Sequence, residues 1–157
     1  MRVGITSDFG TAPLKDLVAQ ALREWGHEVV DLPALVPDPD ADYVDSVVPL
    51  GIAVSQERVE RGILLFDSAI GPSIVANKIR GVRAALIHDC LSVRRAVAED
   101  NLNVMCISAG AVGPHLAVHL IRAFIDARFE DAEEAQRRLA KVALLEVDEE
   151  RRRDSRE

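Results

Sequence analysis

Residues 62–78 read GILLFDSAIGPSIVANK, and this stretch decides the fold. Gly62–Phe66 is a continuous apolar run, the pattern of a strand covered on both faces in a parallel sheet. Small residues then break the run, and Pro72 falls near a helix start, where a missing amide costs little. Strand, short loop and helix in this order form part of a parallel crossover unit.

The same alternation extends in both directions. RVGITS (2–7), HEVVDL (27–32), VRAALI (82–87) and NVMCIS (103–108) read as further strands. Leu14, Leu17, Val18, Ala21, Leu22 and Trp25 recur at helical spacing, and Gly26 is placed to end that helix. A second helix is expected over about 45–61, with Pro49 in its first turn, and a short one over about 92–99. Gly113-Pro114 opens another, with the stripe Leu116, Ala117, Leu120, Ile121 and Phe124, and a last one covers about 131–147. The proline-rich PALVPDPDADY (33–43) reads as loop. The expected fold is α/β: a three-layer, Rossmann-like arrangement with a five-stranded parallel sheet and helices on both faces. Residues 1–147 form one domain, and 148–157 a charged tail expected to fray.

Composition bounds the function. The chain has 157 residues, 48% hydrophobic but only 4% aromatic, so its core is aliphatic. A net charge of -7 argues against general nucleic-acid binding, which needs a basic surface, but leaves room for a small anionic ligand. The apolar stretches are strand-length, and the N-terminus lacks a signal-peptide pattern, so no membrane partner and a cytoplasmic location are expected. Cys90 and Cys106 are too few for a disulfide framework and read as reduced, buried thiols.

Ligands of such sheets bind beyond the carboxyl ends of the strands. That rim holds Ser7-Asp8-Phe9, Phe66-Asp67-Ser68, His88-Asp89 and Ser108-Ala109-Gly110. Free amides along the loop 67–73 suit an anion or an enediolate, although the same small residues equally serve a tight turn. There is no Walker loop and no dinucleotide fingerprint, so no cofactor is expected. His115 and His119 stand four apart but lack a third ligand, so no metal is expected either. Asp8 and Asp67 could act as acid and base or cap helices, and His88 could be a rim acid or base or a structural hydrogen-bonding histidine.

SDFGTAPLK (7–15), DYVD (42–45), ANKIRGVRAAL (76–86), LSVRRA (91–96), NVM (103–105) and FE (129–130), together with the loop quoted first, carry a resemblance. They are similar to the type B ribose-5-phosphate isomerase family, which includes the galactose-6-phosphate isomerase subunits. The resemblance implies the parallel-sheet fold, and dimers or larger assemblies whose sites are completed by a neighbouring subunit. It also implies aldose–ketose isomerisation of a phosphorylated sugar through an enediolate. Asp8, Tyr43, Gly71, Asn77, Lys78 and Asn103 match the family pattern. Other positions depart from it. Phe66 stands at the catalytic cysteine, Pro72 at the glutamate some members carry, and Phe9 at the histidine of SDHAG. Glu99 stands at the histidine of EHN, Gly110 at the arginine of GAR, and Glu133-Glu134 at the Arg-His of GGRH. Arg137 keeps one phosphate-contacting arginine.

The resulting candidate site has Asp67 as the replacement base, Glu99 as the replacement ring-opening acid and Asp8 as a third catalytic carboxylate. Phe9, Tyr43, Phe66, Ser68, Gly71, Ser73, Asn77, Lys78, Asp100 and Arg137 are the candidate substrate contacts. A dry pocket beside Phe9 and Phe66 would raise a carboxylate pKa. Lost guanidinium groups and added glutamates disfavour a standard sugar phosphate. The expected function is therefore isomerisation of a non-standard polyhydroxy carbonyl compound or sugar derivative. The alternative is a non-catalytic member, either a metabolite-binding protein or the structural subunit of a hetero-oligomer. A homodimer or homotetramer is the expected assembly, or a hetero-oligomer with a paralogue. Leu139, Val142 and Leu145 of the last helix would pack either on a neighbour or on their own domain.

Overall fold

The computed structural model describes residues 1–33 and 42–154, with side chains to 147. The strands are β1 (Arg2–Ser7), β2 (Glu28–Asp31), β3 (Arg61–Phe66), β4 (Ala84–Leu86) and β5 (Val104–Ser108). The helices are α1 (Ala12–Glu24), α2 (Tyr43–Ser55), α3 (Ile70–Ala76), α4 (Cys90–Asp100), α5 (Pro114–Asp126) and α6 (Glu133–Asp154). The sheet order is β2-β1-β3-β5-β4, and every pairing is parallel. The expected five-stranded α/β architecture is present.

Strand alternation divides the core. Val3, Ile5, Ile63, Leu65, Met105 and Ile107 face one way, against Leu14, Val18 and Leu22 of α1, Val93 and Val97 of α4, and Leu120, Ile121 and Phe124 of α5. Leu64, Phe66, Val104 and Cys106 face the other way, against Val47, Leu50 and Val54 of α2 and Ala76 of α3. On that second face Gly62 leaves no room for a side chain, since a Cβ would lie 2.5 Å from Leu50 Cδ2. Gly26 takes φ 83° just after α1, the left-handed conformation that closes a helix with little strain in glycine.

Three expectations change. α2 starts at Tyr43 rather than near 45 and stops at Ser55, so Pro49 lies in its interior and not in its first turn. The cause is a capping box: the Asp42 carboxylate caps the helix and the Asp45 carboxylate accepts from the Asp42 amide at 3.1 Å. Glu57, with φ 56°, then ends the segment early. The last helix does not fray at 148 but continues through Asp154. The stripe on α1 is narrower than its periodicity suggested, because Leu17 is exposed. Residues 34–41 of the expected loop, and 155–157 of the expected tail, lie outside the described residues. Among the described residues no helix is long and apolar enough to cross a membrane.

The chain moves from β1 outward to β2, then returns past β1 to β3. This reversal opens a crevice between the carboxyl ends of β1 and β3, the usual ligand position in open parallel sheets.

Candidate active site

Asp8 and Asp67 leave the sheet side by side, since Ser7 of β1 pairs with Leu65 of β3. Asp8 is bound by both carboxylate oxygens. Oδ1 accepts from the Thr11 amide at 2.8 Å and lies 2.6 Å from Thr11 Oγ1. Oδ2 accepts from the Asp67 amide at 3.0 Å. Thr11 Oγ1 is also 2.7 Å from the Leu65 carbonyl, so its single proton serves two acceptors. Asp8 thus secures the start of α1 and ties the β3 loop to the β1 loop.

The β5 loop is fastened to the same point. The Ala109 amide donates to the Phe66 carbonyl at 2.7 Å, and the Gly110 amide to the Asp67 carbonyl at 3.1 Å. Ser108 Oγ accepts from the Ala69 amide at 2.9 Å. Asp67 therefore has its backbone held on both sides. Its carboxylate is exposed, and among the described residues nothing bonds it. Gly110 sits against that carboxylate, because a Cβ at 110 would lie 2.9 Å from Asp67 Oδ1.

Tyr43 roofs the start of α3. A Cβ at Gly71 would lie 2.8 Å from Tyr43 Oη. The capping box of α2 sets the tyrosine there. Ser68 is exposed beside Asp67, and Ser73 turns back on its own helix, donating to the Ile70 carbonyl at 2.7 Å. Phe9 projects into solvent, 98% exposed.

The other candidate residues lie elsewhere. Phe66 is 2% exposed and points into the core between the sheet and α2–α3, as its place in the strand alternation requires. It does not line the rim. Asn77 ties the end of α3 to the start of β4, accepting from the Ala84 amide and donating to the Ala84 carbonyl, both at 2.8 Å. Lys78 follows, exposed. Glu99 and Asp100 end α4, an 11-residue helix; at about 1.5 Å per residue it is roughly 16 Å long. It begins at the carboxyl edge of the sheet and ends at the amino edge. Arg137 is exposed on α6, where its neighbour Arg138 approaches Asp100 at 4.0 Å. Asn77 and Asp100 both line a cleft of about 490 Å3 at that edge, with Leu139, Val142 and Leu145 of α6. α6 lies over its own domain, where the Gly81 amide donates to a Glu146 carboxylate oxygen at 3.0 Å, but Val142 and Leu145 stay 46% and 70% exposed along the cleft.

One chain thus holds two groups at opposite edges of the sheet. Asp8, Asp67, Ser68, Gly71, Tyr43 and Phe9 belong to the carboxyl edge; Asn77, Lys78, Glu99, Asp100 and Arg137 belong to the amino edge. The expected dry pocket does not form within one chain, because Phe9 faces solvent and Phe66 the core. The Arg95 guanidinium, bonded to Glu99 at 2.8 Å, instead holds the Glu99 carboxyl below its usual range against a smaller opposing effect of desolvation. His88 is exposed, and Asp89 is the N-cap of α4, accepting from the Ser92 amide at 2.8 Å. Among the described residues no cluster suits a metal ion.

Sequence reasoning missed one residue here and one contact. Thr11 was legible as the far end of an Asp-x-x-Thr capping pattern. Gly110 is placed on the rim by the sequence, but its contact with Asp67 has no local signal, since the two are distant in sequence.

Comparison with known proteins places this geometry. A family model described as Ribose/Galactose Isomerase matches residues 3–142. A D-erythrulose-4-phosphate isomerase of Pectobacterium atrosepticum is 35% identical over 130 residues, 83% of this chain and 86% of that protein. A ribose-5-P isomerase B of Listeria innocua is 33% identical over 146 residues, 93% of this chain and 95% of that protein. Among solved structures, ribose-5-phosphate isomerase B of Clostridium thermocellum superposes with a TM-score of 0.86 at 30% identity, covering 94% of this chain and 99% of that one.

Proposed function

The chain belongs to the ribose/galactose isomerase family, and we propose that it interconverts an aldose and a ketose with Asp67 as the proton-transferring base. One observation carries this reading. The Asp67 carboxylate stands exposed at the β1/β3 crevice, unbonded among the described residues, while its backbone is latched by Asp8 and Gly110. A base needs a free lone pair, and this one is carried on a residue whose backbone is held in place.

In the aldose-to-ketose direction Asp67 takes the proton from C2. The C–H electron pair becomes the C1=C2 bond, and the C1 carbonyl electrons move to oxygen as an enediolate. Asp67 returns the proton to C1, while the C2 hydroxyl gives up its proton to the C1 oxygen through solvent, leaving the C2 carbonyl. No atom or electron is gained or lost. Asp8 acts as a positioning residue, since both of its oxygens are occupied by the protein. Tyr43 Oη and the Ser68 hydroxyl are the polar groups offered to the substrate.

Relatives named for D-erythrulose 4-phosphate and ribose 5-phosphate make sugar phosphates the first substrates to test. In this reading the substrate's anionic end is held by a second copy. The amino-edge group with Arg137 cannot reach Asp67 within one chain, whereas a neighbour could supply it. Phe9, Tyr43, Val44, Ile70, Ile74 and Leu91 leave an exposed apolar fringe around the carboxyl edge, which burial against a partner would cover.

The test is incorporation of solvent deuterium into D-erythrulose 4-phosphate, D-ribose 5-phosphate and their unphosphorylated counterparts. Exchange by the native chain that disappears in Asp67→Asn supports the reading. Full exchange by Asp67→Asn refutes it.

A further inference from the structure

We propose that Gly110 is a positioning residue for this reaction: the missing side chain at 110 is what allows the Asp67 carboxylate to stand at the crevice. The inference rests on the reading of Asp67 as the base.

Two facts single out Gly110. First, its backbone does not need glycine. The glycines with positive φ are Gly26 and Gly81, so an L side chain is conformationally admissible at 110. The residue is exposed, and no core side chain crowds it. Second, the three nearest atoms that a Cβ would meet all belong to Asp67. Oδ1 would lie at 2.9 Å, the carbonyl oxygen at 3.1 Å and Cγ at 3.7 Å. The tightest contact of a side chain at 110 is therefore with the carboxylate of the proposed base.

The energetics separate fold from function. Oδ1 is the far end of a short side chain and can rotate away at little cost. The Asp67 carbonyl, 3.1 Å from that Cβ and held by the Gly110 amide, must give by only a few tenths of an ångström, less than Oδ1 must. A methyl group at 110 therefore disturbs the carboxylate far more than the chain. An exposed alanine at an admissible conformation also loses less entropy on folding than glycine does, which offsets the crowding.

The experiment compares the native chain, Gly110→Ala and Asp67→Asn in deuterium exchange on the same panel, with thermal unfolding and a crystal structure of Gly110→Ala. The expected result is a kcat about 10- to 100-fold lower in Gly110→Ala, the scale of an ångström misplacement of a reacting group. KM and the melting temperature stay close to native. The crystal structure shows the carboxylate swung from its native position. Unchanged exchange in Gly110→Ala beside an inactive Asp67→Asn overturns the role of Gly110 and leaves Asp67 as the base. An active Asp67→Asn overturns both. A Gly110→Ala structure with the carboxylate unmoved overturns the inference whatever the turnover.

Discussion

Replacing Asp8 by asparagine tests whether one carboxylate holds the two halves of the crevice together. Oδ1 serves the Thr11 amide and hydroxyl, at 2.8 and 2.6 Å, and Oδ2 serves the Asp67 amide at 3.0 Å. Asparagine keeps one acceptor oxygen. If that oxygen stays with Thr11, its NH2 group faces the Asp67 N–H, donor against donor. One charge-assisted bond is lost and an amide is left to find water. Bonds to charged groups contribute about 1.5–3 kcal/mol, and solvent at this edge recovers part, so a net loss of about 1–2 kcal/mol is expected. Urea unfolding measures it as a lowered midpoint at unchanged slope. The loop carrying Asp67 also loses its tether to β1, so deuterium exchange falls about 10- to 100-fold, as for other small displacements of a reacting group. A substitution within about 0.5 kcal/mol of native, the range of an ordinary surface change, with full exchange, would show that the latch contributes nothing.

Two further outcomes follow from the core. Gly62→Ala places a methyl 2.5 Å from Leu50 Cδ2 and 3.2 Å from Val104 Cγ2; overpacking of this kind costs about 1–3 kcal/mol, read by urea unfolding, and an unchanged midpoint would contradict the packing described. Burial pushes the Cys106 thiol from its ordinary value of 9.0 up to about 12. A raised pKa means that the fold favours the protonated thiol. Its contribution to stability is therefore complete below pH 9 and is lost as pH rises towards about 12. The Cys106→Ala variant should lose less stability than the native chain across that window, and thiol titration at pH 8 should label Cys106 only after unfolding.

The separation of the candidate residues into two edges has a simple cause. In a parallel crossover fold each helix runs back along the sheet, so residues at its start and end stand a full strand length apart. Glu99 and Asp67 look like partners as replacement acid and replacement base, yet α4 carries one away from the other. A site drawing on both edges is then a property of an assembly, consistent with the exposed apolar fringe around Asp67.

The layered fold was legible because its signals are local and redundant. The uninterrupted run Gly62–Phe66, the helical spacing from Leu14 to Leu22, and the turn at Gly26 each depend on near neighbours. Pro49 was misjudged for a related reason. The helix start was read from the apolar pattern, whereas the box between Asp42 and Asp45 fixes it two residues earlier. The rim acids were legible too, since a residue just past a strand must lie at the sheet edge. Phe66 aligns with a catalytic position and so suggests a substrate contact, but the two-residue alternation of β3 turns its ring inward.

By itself the sequence determined the order of strands and helices, the aliphatic core and the edge at which Asp8 and Asp67 emerge. Hydrophobic periodicity and turn chemistry act over a few residues and leave their marks in the chain. Only the tertiary structure decided that Asp8 holds the Asp67 amide, that Gly110 makes room for the Asp67 carboxylate, and that Glu99 lies a helix length away. Those relations join residues dozens of positions apart, and they arise from sheet register and close packing, which no local pattern encodes.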